Sequence, residues 1–295
     1  MTILAVLHRT RYRYANPVRF GDHRMMMRPR DSHDLRLIDT GLTISPAAKV
    51  RWMHDVFGNS VAVAHFCEPA KELLVESCFT FEHYPLPAAE VTLEEFARAY
   101  PFSYDADEIA DLGRTSERHY PDPEHRIDAW ARRFVEAEAG HDTMAILVAM
   151  TEAIKAAFTY NPRDEMGTQD PLVTLDSGTG TCRDYTLFLM EAARSLGFAA
   201  RFVSGYLYDE NLIGGGSTSE VVGGGATHAW VQIYLPGAGW VEFDPTNALV
   251  GGRNLIRVAV TRDPKQAIPL AGSFTGKPDD FLGMDVQVEI TAAGE

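Results

Sequence analysis

The stretch that decides the fold is His228-Ala229-Trp230-Val231-Gln232-Ile233-Tyr234-Leu235-Pro236-Gly237-Ala238-Gly239-Trp240-Val241-Glu242-Phe243-Asp244. From His228 to Leu235 the odd positions are all aliphatic, while the even ones carry His, Trp, Gln and Tyr. That period of two marks a strand with one apolar face. Trp240 to Asp244 repeats the pattern with Val241 and Phe243 on its apolar side. If the two strands pair as a hairpin, the aliphatic faces must coincide, so the numbers of opposed residues sum to an even number. His228, Trp230, Trp240, Glu242 and Asp244 then share the other face. A register with Trp230 opposite Asp244 leaves Leu235 to Gly239 as the loop. A carboxylate beside a histidine fixes the imidazole tautomer and stabilises its charged form, the third part in nucleophile–base–orienter chemistry. Asp244 is the candidate orienter and Glu242 a rival on the same face.

A nucleophile for that base lies upstream. Cys182 follows Gly178-Thr179-Gly180-Thr181 and opens a segment in which Tyr185, Phe188, Leu189, Ala192 and Leu196 recur at helical spacing, with Gly197 as its stop. Unpaired amides and the positive end of the helix dipole favour a thiolate there. Glycines before it let the backbone turn tightly and a substrate approach. On position alone, Cys182 is equally a buried cysteine in a helix start, His228 a structural strand histidine, and Asp244 before Pro245 a turn-starting aspartate. The stretch is no phosphate loop, because Cys182-Arg183 stands where a GK[ST] ending would be required. Cys67 and Cys78 lie in strand-like stretches without ligand spacing and are expected to be buried small hydrophobes.

The 295 residues suggest about two domains on a prior of roughly 100–200 residues each. Hydrophobic residues at 45% and charged residues at 23% exclude disordered, collagen-like and coiled-coil chains. The first ~85 residues read as short strands: Arg9 to Tyr14, Leu35 to Ile44 and Val61 to Phe66, with Asn16-Pro17, Pro46 and Phe57-Gly58-Asn59 as turns. After Tyr84-Pro85-Leu86-Pro87 helical segments take over: Leu93 to Tyr100, Ile127 to Glu138, and Asp142 to Phe158 with Asp142 or Thr143 as N-cap. Strands return at Ala199 to Tyr208, Asn254 to Thr261 and Met284 to Ile290. A loop over 213–226, with two Gly triplets, reads as either a lid or a linker. The boundaries expected are 1–88 for a β-rich domain, 89–250 for a core and 251–295 for a β tail packing on both.

Forty-one carboxylates against 27 Lys plus Arg give a net charge of −14, which repels nucleic acid and anionic membranes. Seven arginines nevertheless crowd residues 1–30 beside Asp22 alone. The simplest expectation is that this basic strand region complements an acidic core of the same chain. Three sparse cysteines fit a reducing compartment, and no apolar run is long enough for a signal-peptide core or a membrane span. The expectation is a cytoplasmic protein without nucleic-acid or membrane partners. No ligand cluster implies a metal, and no cofactor is expected.

Four blocks in order make the reading more specific. Gly180-Thr181-Cys182-Arg183-Asp184-Tyr185, Leu196-Gly197-Phe198-Ala199-Ala200-Arg201-Phe202-Val203-Ser204-Gly205-Tyr206, Thr227-His228-Ala229-Trp230 and Gly239-Trp240-Val241-Glu242-Phe243-Asp244-Pro245-Thr246-Asn247 resemble the core of the transglutaminase-like superfamily of cysteine peptidases and acyltransferases. Tyr12-Arg13-Tyr14, Arg28-Pro29-Arg30 and Asp55-Val56-Phe57-Gly58-Asn59 resemble the β-rich domain that precedes this core in bacterial members. Thr181 departs from a small apolar residue, and Thr261 from a glycine, in those relatives; neither touches the candidate triad. The resemblance implies an α+β chain, an N-terminal antiparallel β domain before a papain-like core, with Cys182 as nucleophile, His228 as base and Asp244 as orienter. It implies a thiol-dependent hydrolase of peptide or amide substrates. Acyl transfer to an amine and a silent binding module on the same fold are the alternatives. Trp230 and Trp240 either wall a substrate site or are core aromatics. Asp184 is expected to serve the first helical turn.

Overall fold

The computed structural model describes residues 2–84, 90–138, 140–162, 167–209, 222 and 226–293. The Gly-rich loop expected over 213–226 lies outside them except for Val222 and Ala226.

The N-terminal region is two stacked antiparallel sheets. The first contains β1 (Thr2–Phe20), flanked on one side by β6 (Ala70–His83) and beyond it β3 (Leu35–Ser45). The second holds β2 (His23–Arg28), β5 (Ser60–Phe66) and β4 (Ala48–His54) in that order. Alternation in β1 sends Leu4, Val6, His8 and Thr10 inward and Arg9, Arg11 and Arg13 outward. Asn16-Pro17 is not the expected turn. The strand runs through it as an irregularity, its pairing with β6 shifting between Arg13 and Val18, which proline tolerates where no ladder donor is needed. Cys67 and Cys78 are exposed rather than buried. The phase of β6 explains the second: Leu73, Val75, Ser77, Phe79 and Phe81 take the inner face, so position 78 must point out.

The helical part has α1 (Ala106–Leu112), α2 (Arg126–Ala137), α3 (Thr143–Ala157), α4 (Pro171–Ser177) and α5 (Cys182–Ser195). Asp142 is the N-cap of α3, accepting the N–H of Ala145 at 2.7 Å. Only a short 3₁₀ turn at Glu95–Ala97 forms within the expected helix at Leu93 to Tyr100. Two residue pairs make a small parallel ladder, β7 (Thr159–Tyr160) with β8 (Thr179–Gly180).

The core sheet runs β12 (Leu249–Val250), β11 (Gly239–Asp244), β10 (Thr227–Leu235), β9 (Ala200–Leu207), β13 (Leu255–Thr261), all antiparallel neighbours. The β10–β11 register puts Val231 opposite Phe243 and Tyr234 opposite Trp240, the expected frame. The ladder closes one pair further, Leu235 with Gly239, so the loop is Pro236-Gly237-Ala238. The odd face of β10 and β11 packs Val231, Ile233, Val241 and Phe243 against α5, α2 and α3. Buried on nearly every side, α5 is the hub of this core. Its polar residues are partnered accordingly: Glu191 and Arg194 pair at 2.8 Å, and Glu191 also accepts the N–H groups of His119 and Tyr120.

The last segment serves both halves. After β13 joins the core sheet, β14 (Leu270–Ala271) pairs with β2, while β15 (Phe274–Thr275) and β16 (Phe281–Ala292) pair with β1. A buried cluster of Leu4, Val6, Phe79 and Phe81 with Tyr206, Ile256 and Val258 joins the N-terminal sheet to β9 and β13.

Candidate active site

The site is built at the start of α5. Asp184, the third helical residue and fully buried, accepts the N–H and the hydroxyl of Thr181 through Oδ2 at 2.8 and 2.9 Å, and the N–H of Gln169 through Oδ1 at 2.8 Å. Its carboxylate therefore locks the turn before Cys182 and the segment before α4 together, as well as facing the helix dipole. Arg183 ties the same turn to the tail, donating to the carbonyls of Pro264 and Ala267, with its guanidinium over Phe202. Cys182 is left 9% exposed at the helix tip, and its first-turn amide has no intrahelical acceptor.

His228 is the second residue of β10, beside Gly205 of β9. A Cβ on Gly205 would meet the Ile256 carbonyl oxygen at 2.1 Å and the Trp230 ring at 2.7 Å, so glycine there lets three strands close up behind the histidine. Nε2 of His228 donates to Asp244 Oδ2 at 2.8 Å, both side chains being buried. Nδ1 has no nitrogen or oxygen partner among the described residues. The Cys182 thiol is close enough to act on the ring electrostatically but makes no hydrogen bond to Nδ1. Burial disfavours a charged imidazole here, but the charge and hydrogen bond of Asp244, joined by Cys182, prevail and raise its pKa well above the usual histidine range. Asp244 shows the reverse balance: burial would raise its pKa, and His228, Asn247 and the Thr246 N–H hold it below the carboxylate norm. The Thr246 N–H lies 2.9 Å from Oδ1 and Asn247 Nδ2 3.0 Å from Oδ2. Asn247 also exchanges hydrogen bonds with the backbone of Val222, tying that residue to the same carboxylate.

The structure thus brings Cys182, His228 and Asp244 together and removes Glu242 as a rival. Glu242 accepts from Gln232 at 2.6 Å and pairs with Arg257 at 3.0 Å, and Arg257 in turn pairs with Asp34 of the N-terminal region. The two tryptophans do not wall the site. Trp230 has no exposed surface; it packs with Val203, Leu207, Leu255 and Val260, its ring stacked at 6.1 Å from His228. Trp240 pairs with Tyr234 near the hairpin turn, four residues from Asp244, under the guanidinium of Arg201.

One residue escaped sequence reasoning. Tyr160 is paired with Gly180 in the parallel ladder, close enough to Cys182 for the two side chains to act on each other electrostatically. Burial, then Cys182, pushes its pKa to about 12, so the phenol keeps its proton. A two-residue strand has no periodicity to read; the only signal was an aromatic pair, Phe158 and Tyr160, just before a turn. Among the described residues no group of three or more His, Cys, Asp or Glu is arranged to hold a metal, and no helix is long and apolar enough to cross a membrane.

A thiol at a helix tip, packed on an antiparallel sheet that carries a histidine–aspartate pair, is the arrangement of papain-like thiol proteins. Comparison with known proteins gives the family. Residues 4–82 match the bacterial transglutaminase-like N-terminal region, and residues 128–245 match the transglutaminase-like superfamily core. The chain belongs to the transglutaminase-like superfamily. It is 26% identical to the uncharacterized protein ML0607 of Mycobacterium leprae across 98% of both chains. It is equally similar to Rv2569c of Mycobacterium tuberculosis, across 97% of this chain and 91% of that one. Its fold is shared with a candidate cysteine protease from Cytophaga hutchinsonii, at a TM-score of 0.69 and 16% identity over 98% of this chain and 91% of that structure.

Proposed function

We propose that the protein is a thiol-dependent amide-bond hydrolase, with Cys182 as nucleophile, His228 as general acid and base and Asp244 as orienter. The observation that carries this reading is the buried 2.8 Å His228–Asp244 contact beside the thiol. A histidine that holds its proton through neutral pH is the counter-charge a thiolate requires. In the reading proposed, the sulfur attacks the substrate carbonyl, the tetrahedral oxyanion collapses, and the amine leaves with the proton that His228 supplies. The ring, now neutral, takes a proton from water as water attacks the thioester, returning free acid and thiol.

The oxyanion needs preorganised donors. The Cys182 N–H is one, a first-turn amide without an acceptor among the described residues. The Tyr160 hydroxyl is the second: it is protonated and close to the sulfur, from which the oxyanion would be two bonds away. Trp230 supports the imidazole from behind in this reading.

Transfer to an amine uses the same acyl-enzyme, and hydrolysis is favoured here by the resemblance to bacterial members. A panel of peptide and γ-glutamyl amides, assayed with and without an added primary amine, tests the proposal. The expected result is release of free acid by the wild type, lost in Cys182→Ala. If Cys182→Ala releases acid at the wild-type rate, the assignment is wrong. A product that forms only as the amine conjugate makes the protein a transferase.

A further inference from the structure

We infer that the N-terminal sheets carry a separate binding site for a small organic anion, a carboxylate on a compact apolar body. A cavity of about 260 Å³ opens between the two sheets, well away in the fold from the thiol site. Met25, Met27 and Ala62 line it from one sheet and Thr40, Leu42 and Phe79 from the other, with Trp52 and Arg28 beside them. Protein interiors are ordinarily packed as densely as organic crystals. Here Ala62 and Ser77 contribute little bulk, and the gap between the sheets is left without a filler.

Arg28 says what kind of molecule suits it. The neighbouring arginines are spoken for: Arg9 meets Glu76, Arg11 meets Glu72, Arg13 meets Asp285, Arg24 meets Asp55, and Arg30 donates to the carbonyls of Phe57 and Gly58. Arg28 is half-buried, yet its guanidinium has neither a carboxylate nor a carbonyl partner among the described residues. It lies instead over the ring of Trp52, 5.6 Å from the centroid. Trp52 is itself 48% exposed, a large aromatic face left in water. Arg183, Arg201 and Arg262 are also half-buried without a carboxylate partner among the described residues, but each donates to a carbonyl, amide or imidazole acceptor, which Arg28 does not. Its planar fork matches a carboxylate in two parallel hydrogen bonds. The methionine floor adapts to an apolar body, and the Trp52 face covers a flat one. The volume lies just under that of pockets for drug-sized molecules, so the occupant is fragment-sized.

The test is calorimetric titration of the full-length Cys182→Ser protein with benzoate, 2-naphthoate and hexanoate, and with neutral benzamide as control. At least one carboxylate should saturate at one site per chain. Arg28→Met should weaken it by about tenfold or more, Arg28→Lys by less, and benzamide should bind about tenfold weaker than benzoate. Arg28 makes no ion pair, so the melting temperature of Arg28→Met should match the parent, which separates lost binding from lost fold. The proposal is overturned if none of the three carboxylates saturates, if Arg28→Met binds them as well as the parent, or if benzamide equals benzoate. None of these results bears on the thiol chemistry, which this site does not share.

Discussion

At the level of single residues, the site is defined by what Asp244 and Tyr160 do to their neighbours. Asp244 raises the proton affinity of His228, so the alkaline limb of amide cleavage should lie well above the ordinary imidazole range. Asp244→Asn removes the charge but keeps the shape. It should move that limb toward neutrality and lower kcat/KM by on the order of 10²-fold or more. A pH–rate profile of the two proteins checks it, and coincident alkaline limbs would contradict it. Tyr160→Phe deletes only an oxygen; as an oxyanion donor it should cost about 10²-fold in kcat with KM little changed, whereas a packing role would leave kcat nearly intact. Much of this was legible in the chain: Cys182 from its glycines and helix, His228 and Asp244 from the parity of two short strands. Tyr160 was not, because its place depends on a parallel pairing with Gly180 across a connection that contains α4, and a two-residue ladder leaves no pattern in the sequence. Nor was the fate of Trp230, since strand parity gives the face of a sheet but not whether that face is covered.

Among the elements, the hairpin β10–β11 and its neighbour β9 hold the histidine by close backbone approach. Gly205→Ala would drive a methyl group into the Ile256 carbonyl and the Trp230 ring. Overpacking of this kind costs about 1–3 kcal/mol. The strain falls directly behind His228, so activity should drop further than stability, and chemical denaturation measured beside kcat separates the two. A variant with unchanged activity would mean that β13 yields freely and that Gly205 does not position the ring. The register of this hairpin was readable because one face is wholly aliphatic and a one-residue slip would expose it. By contrast, Leu93 to Tyr100 shows helical spacing without forming a helix: Pro101 follows directly and Ala99 bridges Asp142 instead. The irregularity in β1 at Asn16-Pro17 carries the signal of a turn because the same residues serve turns and bulges.

Over the whole molecule, the basic N-terminus does not bind the acidic core as its charge suggested. Its arginines mostly pair across strands within the β region and with β16, and the contact between the halves depends on other groups. Asn59 of the N-terminal region exchanges hydrogen bonds with the backbone of Val260 at 2.6 and 2.9 Å, acting as a strand partner for β13. His8 bonds Tyr206 at 2.8 Å and His83 bonds Tyr208 at 3.2 Å. Burial pushes both histidines down to about 4; for His83, Asp34 opposes the fall and Arg257 adds to it. Unfolded, each takes up a proton near pH 6.5, so between about 6.5 and 4 the unfolded chain binds more protons and stability falls as pH falls. The slope is about 1.4 kcal/mol per pH unit for each histidine at most. His228, whose folded pKa is raised, opposes this decline near pH 6.5 and above, where its unfolded form is not fully protonated, and adds nothing below about pH 5.5. Urea midpoints should therefore decline from pH 7 to 4.5 and decline less in His8→Gln; a flat profile would contradict the reading.

The same molecule carries its own controls for the central claim. Cys67 and Cys78 are exposed thiols, and Cys182 is nearly buried. Accessibility alone predicts that Cys182 is the slowest to react. The measurement is the alkylation rate of each cysteine by iodoacetamide near pH 6.5, followed by peptide mass spectrometry in wild type and in His228→Ala. An activated thiolate predicts that Cys182 reacts fastest of the three and loses that advantage in His228→Ala, while Cys67 and Cys78 are unaffected. If Cys182 reacts no faster than the exposed pair, or at the same rate without the histidine, then no activated nucleophile exists here.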